Sequence, residues 1–119
     1  MWRRAIGLIG GVLLLAGPAM GQDDQPTMWK GFCQVDQQGV KPCSISDRVS
    51  ADGQHHLQFS FGGKSAGFLG RSSGPWWSGE LDGRPAMGYE PWRGHTVFST
   101  RDLKTTFEWC DKQSSDGSC

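Results

Sequence analysis

From Leu57 to Cys110 apolar residues alternate with polar ones in short runs, and Gly, Pro or Asp-Gly cuts each run after a few positions. Alternation with a period of two puts successive side chains on opposite faces of a strand, whereas a helix needs apolar residues three and four apart over several turns. No stretch sustains that helical spacing, and only a single helical turn fits near residues 100–103. The runs at 54–61, 66–71, 77–81, 84–89, 96–100 and 105–110 therefore predict strands. Leu57, Phe59 and Phe61 share one face, as do Met87 with Tyr89 and Phe107 with Trp109. Short strands at this spacing predict an all-β fold, a small antiparallel barrel or sandwich.

The turns carry their own signals. Asp52-Gly53 and Asp82-Gly83 are hairpin dipeptides, Gly62-Gly63 reverses the chain before Lys64 and Ser65, and Gly74-Pro75 breaks it again. Pro91-Trp92-Arg93-Gly94 reads as a connector. Folding the segment from Cys33 to Cys43 about Gln38 sets the two cysteines opposite each other, with Gly39 at the left-handed position of a three-residue loop. Directly opposed Cβ atoms lie about 4.5–5.5 Å apart, close to disulfide geometry, so Cys33–Cys43 is the expected bridge. For Cys110 and Cys119 the local pairing is preferred. Four cysteines allow three connectivities, and a bridge from either of these back to the first hairpin is the alternative.

The N-terminus follows a different pattern. Arg3-Arg4 precedes an apolar run from Ala5 to Ala16, Gly17-Pro18 breaks it, and Ala19-Met20-Gly21 supplies small residues for signal peptidase. Residues 1–21 thus read as a secretory signal peptide, cleaved near Gly21. The run is shorter than the roughly 20 apolar residues that span a bilayer. Residues 22–28 are polar and read as a disordered leader, 29–110 as a single β domain, and 111–119 as a polar tail. No later segment is apolar enough to predict a transmembrane span. The chain has no Asn and hence no acceptor for Asn-linked glycosylation, which fits a bacterial periplasmic or secreted protein.

Cleavage after Gly21 changes the totals. The remaining 98 residues lose Arg3 and Arg4, leaving ten basic against twelve acidic side chains, a net charge of −2. That balance lacks the footprint of a nucleic-acid binder. Aromatic residues outnumber aliphatic ones in the mature chain, twelve to nine. Each ring buries about 150–250 Å², so a Trp- and Phe-rich core is expected. Domains this small often need staples, and an oxidising compartment allows the four cysteines to provide them.

Motifs for catalysis fail on context. Gly63-Lys64-Ser65-Ala66-Gly67 and Gly70-Arg71-Ser72-Ser73-Gly74 both match G-x-S-x-G, yet the nucleophile elbow needs a following helix, and the second match runs into Pro75. Gly63-Lys64-Ser65 resembles the end of a P-loop, but Gln58 stands where the first glycine belongs. His55 and His56 are adjacent and face opposite ways on a strand, so they do not share a metal, and the histidines, His95 included, read as exposed strand positions. Glu80 and Asp82 share a face, as paired glycosidase carboxylates do, although Asp82 opens an Asp-Gly turn. The sequence calls for no metal or cofactor.

Trp76, Trp77, Tyr89, Trp92 and Arg93 form the remaining constellation. Trp76 and Trp77 face opposite ways, so one can fill the core while the other is exposed; the competing and favoured expectation is that all of these rings pack, because the chain has few aliphatic residues for its core. Exposed Trp and Tyr beside Arg have the composition of interface hot spots, and flat rings also suit sugars. Trp76 and Trp92, each beside a turn, are the stronger contact candidates. An exported, cysteine-stapled, Trp-rich β domain loosely resembles the small bacterial lysozyme inhibitors of the β-barrel type; no diagnostic motif of that group aligns here, and no residue role is carried over. The expectation is a non-catalytic binding protein of the cell envelope whose partner is a protein, such as an enzyme it inhibits, met by the loops around Lys64-Ser65 and Trp92-Arg93. An envelope glycan bound on Trp76, Trp77 or Tyr89 is the alternative, and a small hydrolase using Glu80 or Asp82 comes third.

Overall fold

The computed structural model describes residues 25–119; the segment read as a signal peptide, and its cleavage point, lie outside the described residues. Eight strands follow one another in the chain: β1 (Thr27–Val35), β2 (Lys41–Val49), β3 (His55–Phe61), β4 (Lys64–Ser73), β5 (Trp76–Leu81), β6 (Arg84–Trp92), β7 (His95–Thr100) and β8 (Thr106–Cys110). Each pairs antiparallel with its neighbour in sequence, and β8 pairs with β1. The sheet therefore closes into a barrel and leaves no edge strand. The expectation of a small antiparallel barrel or sandwich resolves to the barrel. No residue among those described is helical, and residues 100–103 form a turn with Leu103 at φ 63° instead of a helical turn. There the Asp102 carboxylate accepts from the Lys104 N–H and from the Thr100 hydroxyl, which holds the turn tight.

Alternation explains the interior. Phe59, Phe68, Phe98 and Phe107 point inward and are fully buried, with Ile45, Leu57 and Leu81 around them. Phe68 stacks on Phe98 with ring centroids 4.3 Å apart, and Phe59 meets Phe107 at 4.5 Å. Trp29 and Trp109 pack edge to face at 5.7 Å against the same core. Each fully buried Phe contributes roughly 1.5–3 kcal/mol, so rings supply what the missing leucines do not. Gly70 and Gly79 face each other across β4 and β5; a Cβ on Gly79 would sit 2.1 Å from the Leu69 carbonyl oxygen, so only glycine allows the strands to pass there.

The first hairpin turns two residues off the expected register. Cys33 stands opposite Lys41, and Cys43 opposite Gly31, so the loop is centred on Gln37 and not on Gln38. Asp36 is the cause. Its N–H donates to the Thr106 carbonyl at 2.9 Å and its carboxylate accepts from the Thr106 N–H at 2.7 Å, tying the loop to the start of β8. Cys33 and Cys43 are nonetheless bridged, along the diagonal, with Cα atoms 5.8 Å apart. The second bridge joins Cys110 to Cys119.

Two boundaries also move. β1 begins at Thr27, inside the stretch read as a disordered leader, because Thr27 and Met28 pair with Asp47 and Ser46 of β2. That pairing is made by the backbone and leaves Met28 exposed, so no hydrophobic signal announces it. β6 runs on to Trp92, through the stretch read as a connector, by way of an irregularity between Tyr89 and Trp92.

Candidate functional site

In an up-and-down barrel successive turns alternate between the two ends. The turns at 36–40, 62–63, 82–83 and 101–105 lie at one end; those at 50–54, 74–75 and 93–94, with the C-terminal tail, lie at the other. Lys64 and Ser65 therefore stand at the opposite end from Trp92 and Arg93. The structure does not assemble the two loops into one contact surface, contrary to the expectation. The reason is topological: β3–β4 and β6–β7 are hairpins of opposite sense.

Of the aromatic candidates, Trp76 and Tyr89 come together, on the outer wall of β5 and β6 toward the second end. Trp76 is the Cα partner of Tyr89, and their rings meet at 4.7 Å with planes inclined by 44°. Trp76 is 54% exposed and Tyr89 43%. Met87, 48% exposed, continues the wall on the same face of β6, and Trp92, 60% exposed, ends it. Arg93 follows in the exposed turn. The face that Met87 shares with Tyr89 is legible in the alternation of β6.

Trp77 leaves the site. It points inward, with ring-edge contacts to His55 at 4.9 Å, Phe68 at 5.9 Å and Phe98 at 6.1 Å, so it belongs to the core. Between the two adjacent tryptophans, the strand's alternation sends Trp76 out and Trp77 in.

The histidines differ from their expected exposure. Only His56 is exposed. His55 points into the barrel mouth, where Nδ1 lies 3.0 Å from an Asp47 carboxylate oxygen. His95 is 6% exposed although it lies on the outer face: the Trp92 ring covers it at 4.7 Å, and its Nε2 donates to Glu108 at 2.5 Å. Cys119, the end of the tail, lies beside it. Ligand atoms of His95, Glu108 and Cys119 lie within 4.8 Å of one another, but the Cys119 sulfur is bridged to Cys110 and is no thiolate donor. Gln34 donates to the second Glu108 oxygen at 3.0 Å, and the ring contact with His95 joins Trp92 to this cluster.

The carboxylates considered for hydrolysis have structural surroundings. Asp82 occupies a left-handed turn position, φ 50°, and accepts from the Gly67 N–H at 2.8 Å. Glu80 is exposed on β5. Ser65 and Ser72 are exposed strand residues of β4, each followed by more strand or a turn.

The fold and this wall define a closed, disulfide-stapled, eight-stranded barrel with an aromatic outer face. Comparison with protein-family models, with curated proteins and with solved structures finds no match to the chain.

Proposed function

We propose that this is an exported, non-catalytic binding protein of the cell envelope that recognises a protein through the wall of Trp76, Met87, Tyr89 and Trp92, with Arg93 at its edge. The carrying observation is that these large side chains are exposed on the outer face of β5 and β6, Trp76 in contact with Tyr89, while a separate set of rings fills the core. Aromatic residues, Met and Arg are enriched at protein interfaces and Trp, Tyr and Arg in hot spots, and a contiguous exposed apolar patch marks such a surface. An enzyme that the barrel inhibits is one such partner. Export is supported by the two disulfides and by the sequence pattern before Gln22, in a periplasmic or secreted setting. No helix among the described residues is long and apolar enough to cross a membrane.

A glycan is the second reading. The tilted contact of Trp76 with Tyr89 weighs against it, since each ring turns part of a face toward the other instead of offering a flat platform. The test is capture from an envelope extract on the oxidised protein, with Trp92→Ala in parallel. A dominant protein retained by the wild type and lost from the variant supports the reading. Capture of wall polysaccharide without protein, or loss of tryptophan emission on saturation with soluble oligosaccharide, transfers the wall to glycan binding.

A further inference from the structure

At the end of the barrel that carries Lys64 and Ser65, the outer wall has a different chemistry. A groove of about 690 Å3 crosses the outside of β1, β2 and β3, and none of the residues lining it is acidic. Its shape follows from register. Lys30 stands opposite Ser44, Ser44 opposite Ser60, and Ser60 opposite Ser65, so one outward row runs over four strands with short hydroxyls in its middle. The neighbouring row is apolar, with Phe32 opposite Pro42. Lys64 closes the far side. Lys41 reaches the rim as well, its Cδ lying 3.8 Å from where a Cβ on Gly62 would be.

The charge at this end is unbalanced locally. Its aspartates already hold donors: Asp36 takes the Thr106 N–H, Asp82 the Gly67 N–H, and Asp102 the Arg84 guanidinium. Among the described residues no carboxylate pairs with Lys30, Lys41 or Lys64. Three free ammonium groups and a row of hydroxyl donors beside an apolar strip complement an anion with a hydrocarbon body. The volume lies within the range of about 300–1,000 Å3 typical of small-ligand sites.

We propose that this groove binds a free single-chain anionic amphiphile. Lys30, Lys64 and the Ser44 and Ser60 hydroxyls take the head group, and Phe32 with Pro42 supports the chain. The site is separate from the aromatic wall, and neither reading depends on the other.

Calorimetric titration of the oxidised full chain with decanoate, below its micelle concentration, tests this. Expected are saturable one-to-one binding, none for acetate, and at least tenfold weaker binding in Lys30→Gln/Lys64→Gln. A second variant, Ser60→Trp, fills the groove and keeps every charge; it should abolish binding while the far-ultraviolet spectrum stays that of the wild type. The proposal is overturned if decyl maltoside binds as well as decanoate, if the variants hold decanoate undiminished, or if no saturable binding occurs. Co-sedimentation with anionic phospholipid vesicles in the absence of decanoate binding also overturns it and assigns the lysines to a membrane surface.

Discussion

Trp76 and Tyr89 face each other directly across β5 and β6, and their rings touch on the outside of the barrel, 4.7 Å apart. A cross-strand aromatic pair contributes roughly 0.2–1 kcal/mol to a sheet, too little for a closed barrel to depend on it. Tyr89→Ala is therefore expected to lower stability by about 1 kcal/mol or less while changing the emission of Trp76. Denaturant unfolding followed by circular dichroism, with fluorescence in parallel, measures both. A loss of several kcal/mol would place the pair among the groups that hold the fold.

Inside the barrel the balance reverses. Phe98 meets Phe59, Phe68 and Trp77, and Phe98→Ala is expected to cost about 3–5 kcal/mol. Gly88 stands opposite it, where an added Cβ would lie 2.6 Å from Phe98 Cδ1. Gly88→Ala should thus destabilise by pushing on the same ring, and Phe98→Leu should relieve part of that loss. Urea unfolding of the two single variants and the double variant checks the coupling; strict additivity contradicts it.

The strand pattern carried most of this architecture, because inward Phe59, Phe68, Phe98 and Phe107 alternate with polar neighbours and the Asp-Gly and Gly-Gly turns separate them. Trp77 could not be divided from Trp76 by composition, since both flank the same turn and only the observed register says which faces in. His95 departs from the strand pattern for another reason. Its cover comes from Trp92 across a hairpin and from a tail clamped by Cys119, neither of which a strand pattern encodes. The separation of Lys64-Ser65 from Trp92-Arg93 was implicit in the order of hairpins, which alternate ends in a meander. The shifted first loop was not, because Asp36 is held by Thr106, seventy residues away.

The tail disulfide should act locally. A bridge between cysteines nine positions apart contributes about 2–3 kcal/mol on the chain-entropy model. Cys110→Ser/Cys119→Ser is expected to lose about that much, to keep the barrel's circular dichroism, and to uncover His95. Reaction of His95 with diethyl pyrocarbonate, followed by mass spectrometry, should be fast in the variant and slow in the oxidised protein. Equal rates would show that Trp92 and Glu108 bury His95 without the tail.

Acid should weaken the turns at both ends. The Thr100 hydroxyl, then the Lys104 N–H and Arg84, hold the Asp102 carboxyl well below its usual value of 3.8. The Ser50 hydroxyl, then the Gln54 N–H and Arg71, lower Asp52 in the same direction. A carboxyl lowered by folding adds stability above its unfolded value and loses it as pH falls through the folded one. The wild type is therefore expected to lose stability progressively from about pH 4 downward. Asp52→Asn/Asp102→Asn should flatten that slope in urea midpoints measured between about pH 2 and pH 6; an unchanged slope would move the acid sensitivity to other carboxyls.

The affinity of the captured envelope partner for wall variants tests the central claim most directly. Trp76→Ala/Trp92→Ala is expected to weaken binding at least tenfold with its unfolding midpoint little changed, while Lys104→Ala, in the turn at the opposite end, binds as the wild type does. Undiminished binding by the double tryptophan variant, with loss in Lys104→Ala, would contradict the aromatic wall as the contact surface.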